Sequence, residues 1–107
     1  MEFALSAEQR MLRESVRHYC ERHYRLQDRL AIIGSEPGFT LVDWRKYAEL
    51  GWVGEALPED VGGAGGTLIE TAIIAEEFGR ALVLEPFMSV TVAAHLIDRT
   101  GTAAQRT

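Results

Sequence analysis

Four glycines fall within the five positions Gly62 to Gly66, and the loop they form runs straight into an apolar-periodic segment that opens Thr67-Leu68-Ile69-Glu70. Backbone N–H groups at such a junction can hold a phosphate, because a helix N-terminus carries unpaired donors and a partial positive charge. A nucleotide P-loop needs a lysine and a hydroxyl directly after its glycines. Here Thr67 and Leu68 follow Gly66, and Lys46 is the chain's one lysine. A dinucleotide fingerprint needs a preceding β-strand, and none is readable. Glu70, three residues after Thr67, would itself occupy the helix N-terminus in a capping box. The favoured reading is a turn whose glycines permit positive φ.

The other reactive residue types are scattered. Cys20 and His23 stand three apart with His18 nearby, but a zinc site needs three or four ligands and no second Cys/His pair exists; His95 is isolated. Core or surface roles are expected for all four, and no metal. Glu76 and Glu77 look like a catalytic carboxylate pair, yet adjacent helix residues diverge by roughly 100° and do not share a face. Arg80 lies four residues beyond Glu76 and three beyond Glu77, which predicts a surface salt bridge. Ser6, Ser15, Ser35 and Ser89 lack the Gly-x-Ser-x-Gly setting of an activated nucleophile. No self-contained active site assembles from these residues, and no catalytic residue is assigned.

At 107 residues the chain has the length of one domain, 1–107, with one modest core. Sixteen acidic residues outweigh eleven basic ones, a net charge of −5, which argues against nucleic acid or an anionic membrane surface as the main partner. The arginines between Arg10 and Arg29 are interleaved with Glu8, Glu14, Glu21 and Asp28 and form no basic cluster. A single cysteine permits no intrachain disulfide and fits a reducing compartment. The N-terminus has no apolar signal-peptide core, and no run reaches the roughly 18 apolar residues of a membrane span. A cytoplasmic location is expected.

Four helices are predicted, an all-α fold. The first has Ser6 as N-cap and Gln9 three residues on, with Leu12, Val16, Tyr19 or Cys20, and His23 near one face. Residues 32–38 read as a loop. The second begins at Thr40, carries an apolar stripe of Leu41, Trp44, Tyr47, Ala48 and Leu50, and ends on Gly51 in a left-handed cap, with Trp52 as the apolar contact that follows. Pro58 turns the next loop. The third starts in the Thr67/Glu70 box and is apolar enough to predict burial on most sides; Gly79 fits equally as an interior residue or a stop. The fourth starts at Pro86 and runs to Gly101. Its Val90-Thr91-Val92 would also suit a strand, but length and the proline start favour helix.

Three stretches, "LSAEQRMLRESVRHYCERHY", "WRKYAELGWVGEALPEDVGGAGGTLIETAIIAEEFGRAL" and "GTAAQR", resemble in order and spacing the N-terminal helical domain of flavin-dependent acyl-CoA dehydrogenases. "FGRALVLEPFMS" further resembles a bacterial branch, some members of which form two-subunit enzymes. The resemblance implies a middle β-domain and a C-terminal helical domain beyond this chain. It implies FAD bound mostly by those parts, and a glutamate in the last of them that removes the acyl α-proton while the flavin takes the β-hydride. About three-quarters of such an enzyme would lie outside Met1–Thr107, so no FAD and no catalysis are expected of this chain alone. The partners implied are the remaining domains or subunits, an acyl-CoA, and an electron-transfer flavoprotein. In the family the helix after "EEFGRAL" lines the acyl pocket, which points to Met88, Ser89 and Val92 as wall residues; the alternative is ordinary core packing. An isolated domain of this kind would expose an apolar patch and self-associate.

Overall fold

The computed structural model describes residues 3–107 and holds six α-helices: α1 (Ala7–His23), α2 (Leu26–Ile33), α3 (Leu41–Glu49), α4 (Leu68–Ala81), α5 (Phe87–Thr100) and α6 (Ala103–Arg106). A 3-10 turn at Glu59–Val61 is the other regular element, and no strand occurs among the described residues. The Val90–Val92 segment lies inside α5. The four predicted helices are present, and α2 and α6 are added to them.

Local chemistry accounts for most of the boundaries. At the start of α1 the Gln9 N–H donates to Ser6 Oγ at 3.1 Å, and the Ser6 N–H donates to Gln9 Oε1 at 2.9 Å. The last turn of α3 ends as the glycine predicted: Gly51 has φ +82°, its N–H donates to Ala48 O, and the Trp52 N–H donates to Tyr47 O, each at 3.0 Å. That is the paired bonding of a Schellman end, and the Trp52 ring stacks on Tyr47 with centroids 5.9 Å apart. At α4 the Thr67 N–H donates to Glu70 Oε2 at 2.9 Å, and the Ile69 N–H donates to Thr67 Oγ1 at 3.2 Å. α4 closes in the same bonding pattern as α3, Val83 N–H to Phe78 O, but with Leu82 at φ +55° where glycine is usual. Gly79 is an interior residue of α4. A Cβ there would meet nothing within 4 Å, so Gly79→Ala should raise stability by about 0.5–1 kcal/mol, read as a higher thermal midpoint of the isolated chain.

The described residues divide into two compact units, one built from the segment up to Thr40 with Ala72–Leu84, the other from Leu41–Thr71 with Glu85–Thr107. The first buries Val16, Cys20, Tyr24, Ile32, Ile73, Ile74 and Phe78. His23, expected on the apolar side of α1, is exposed, with its ring against Tyr19. The second unit buries Tyr47, Trp52 and Phe87. Of the stripe predicted for α3 only Tyr47 is fully buried, while Leu41 and Leu50 are exposed. Nor is α4 buried on most sides: Thr71, Ile73, Ile74, Glu77 and Phe78 are inside, but Leu68 is 68% and Ile69 54% exposed.

Candidate functional site

The glycine loop answers the phosphate question atom by atom. Pro58 and the 3-10 turn bring the chain back on itself, and each N–H from Gly62 to Gly66 then finds a carbonyl. Gly62 donates to Glu59, Gly63 to Pro58, Ala64 to Gly54, Gly65 to Leu57 and Gly66 to Glu55, all within 2.8–3.0 Å. Thr67 N–H is taken by Glu70. Donors fixed on the chain's own carbonyls do not solvate an anion, so the segment is a folded connection. Gly62 and Gly65 have φ of +89° and +73°.

Glu55 lies under this loop, its Oε1 3.1 Å from where a Cβ on Gly66 would stand. Burial pushes its carboxyl above the ordinary range, and the charge of Glu70 adds to the push. A raised folded-state pKa favours the protonated form, so charged Glu55 works against the fold near neutrality. Glu55→Gln should therefore raise the melting temperature at pH 7, with the gain vanishing near pH 3, where wild-type Glu55 is already neutral.

The carboxylates that resembled a catalytic pair part company. Glu77 is 1% exposed and lies in the unit that contains α1. Arg17 Nε donates to its Oε1 and Oε2 at 3.1 and 3.2 Å, and Arg17 Nη2 to Oε1 at 2.6 Å. The predicted salt bridge between Glu77 and Arg80 is present at 3.9 Å, but its carboxylate is buried rather than on the surface, and the nearer partner, at 2.6 Å, is Arg17, sixty residues earlier. Glu76 points away and meets Arg13 at 3.6 Å. The Arg17 hydrogen bonds hold the Glu77 carboxyl below its usual range against the opposing effect of burial, with the charges of Arg17, Arg80 and Arg13 in support. A carboxylate locked this way is a poor general base; its role is to fasten α1 to α4. A cleft of about 190 Å³ opens beside it, bordered by Cys20, Tyr24, Arg25 and Arg80. Glu21 and Glu77 offset the arginines there, and Asp28 takes Arg25 at 3.1 Å.

In the other unit, Tyr47 and Glu85 are both buried, and the Tyr47 hydroxyl donates to Glu85 Oε1 at 3.1 Å. This ties α3 to the residue two before α5. At the far end Thr102 and Gln105 form a reciprocal cap for α6, and Arg106 donates to Asp98 Oδ1 at 2.7 Å while reaching Asp60 at 3.5 Å. The Gln-Arg close of the sequence thus pins α6 onto α5 and the 3-10 turn.

Met88, Ser89 and Val92 sit on the outer side of α5. Met88 is 56% and Val92 62% exposed, and Ser89 is exposed as well. Leu96, 61% exposed, continues the row at the same four-residue interval. Phe87 and Thr91 take the inner side. The three residues are therefore not core packing within this chain. Among the described residues no group of three or more His, Cys, Asp or Glu stands close enough to hold a metal ion. No described helix is long and apolar enough to cross a membrane.

Comparison with known proteins agrees on one family. Residues 6–107 match the profile described as acyl-CoA dehydrogenase, N-terminal domain. Acyl-CoA dehydrogenase IpdE2 of Mycolicibacterium smegmatis is 38% identical over 90 residues, 83% of this chain and 29% of the relative. Acryloyl-CoA reductase (NADH) of Anaerotignum propionicum is 32% identical over 108 residues, covering 99% of this chain and 27% of that protein. Among solved structures, a variant of the Tcur3481-Tcur3483 steroid ACAD superposes with a TM-score of 0.86 at 36% identity, over 92% of this chain and 27% of that one. The ChsE4-ChsE5 complex from Mycobacterium tuberculosis gives a TM-score of 0.88 at 24% identity, which speaks to fold alone. The chain spans under a third of the length of each.

Proposed function

The chain belongs to the acyl-CoA dehydrogenase family, matching its N-terminal domain, and from that premise we propose that it is the helical part of an enzyme that oxidises an acyl-CoA to the 2,3-enoyl-CoA with FAD, helping to wall the acyl-chain pocket and packing on the remaining domains or subunits. The observation that carries this reading is the outer row of α5. Met88, Val92 and Leu96 each leave more than half of their surface in water, an arrangement that apolar side chains hold when something else covers them. Small Ser89 leaves room beside the row, and flexible Met88 can adapt to the group it meets. The flavin and the proton-abstracting glutamate would come from outside these residues. The N–H groups of Gly62 to Gly66 are held by the chain's own carbonyls, which fits a loop that serves as a connection. An electron-transfer flavoprotein as acceptor and a cytoplasmic setting complete the proposal.

One observation favours a second reading, in which the chain is the non-catalytic partner of a heteromeric dehydrogenase: the solved relative at 36% identity is named for two components, Tcur3481 and Tcur3483.

Val92→Arg tests the α5 assignment. In the FAD-loaded enzyme that carries this domain, KM for the acyl-CoA should rise about 10- to 100-fold, the scale of losing one apolar contact in a pocket, with flavin content unchanged. The isolated chain should self-associate in sedimentation equilibrium, and the same substitution should leave it monomeric. An unchanged KM, with a wild-type chain that stays monomeric at high concentration, would remove the reading. A colourless native protein lacking its own flavin would favour the second one.

A further inference from the structure

We draw no further inference here: the strongest candidate outside the α5 row, the exposed apolar stripe of α2 formed by Leu26, Leu30 and Ile33, carries nothing because no feature of the structure shows what covers it.

Discussion

Replacing Arg17 by methionine should cost far more stability than replacing Glu77 by glutamine, although both remove the same ion pair. Arg17→Met strands a carboxylate that is 1% exposed, and an uncompensated buried Glu77 costs about 3 kcal/mol. Arg80, at 3.9 Å, can take over only part of the arginine's work. Glu77→Gln leaves a neutral amide that still accepts a hydrogen bond, and a loss of about 1–2 kcal/mol is expected. Thermal unfolding of the two variants at pH 7 decides the order; equal losses would mean that Glu77 is hydrated in solution and the pair is a surface contact. The pH dependence gives a second reading of the same bond. Glu77 is held below its ordinary pKa by Arg17, so the stability it contributes is fully present above the unfolded-state value of about 4.3 and is lost as pH falls through the lower folded-state value. Wild type should therefore lose stability on acidification below about pH 4 more steeply than Glu77→Gln. Parallel curves would show that other carboxylates dominate acid unfolding.

The same pair marks the limit of what the sequence revealed. Caps are written in neighbouring residues, so Ser6 with Gln9, Thr67 with Glu70, and Gly51 with Trp52 could be read directly. The main partner of Glu77 could not. Helical spacing offers Arg80, whereas Arg17 becomes its neighbour only once α1 and α4 have packed. In α2 the apolar Leu26, Leu30 and Ile33 do recur at helical spacing, but the helix is only eight residues long, and its start is held by Asp28, which accepts from the Arg25 N–H at 3.0 Å, rather than by a Ser or Thr cap. The α6 signal was present as Thr102-Ala103-Ala104-Gln105, a complete capping box, but four residues carry too little periodicity to be read as a helix. The exposure of Leu68 and Ile69 on α4, and of Met88 and Val92 on α5, runs against the expectation that apolar residues fill a core. The α5 residues among them are those that the proposal assigns to the acyl-pocket wall; Leu68 and Ile69 have no assignment.

Gly63→Ala should be the most damaging single-methyl change in the glycine loop. A Cβ at Gly63 would stand 2.1 Å from the Leu57 carbonyl oxygen and 2.5 Å from its carbon. Both are backbone atoms, so no rotamer change relieves the clash. The Leu57 carbonyl is also the acceptor for Gly65 N–H, and pushing it away breaks a bond that closes the loop. A loss of about 2–4 kcal/mol is expected, the upper range of overpacking. Gly62→Ala supplies the comparison. Its φ of +89° is strained for alanine, but a Cβ there meets nothing within 4 Å, so the cost should be about 1–2 kcal/mol. The order separates two accounts of the glycines. If they serve close backbone approach, Gly63→Ala is the worse variant, and added phosphate changes neither midpoint. If they form an anion cradle, phosphate stabilises the wild type and both variants lose that response. A Gly63→Ala chain that melts with the wild type would show that the loop does not hold the closed path, with its five N–H groups turned onto the chain's own carbonyls.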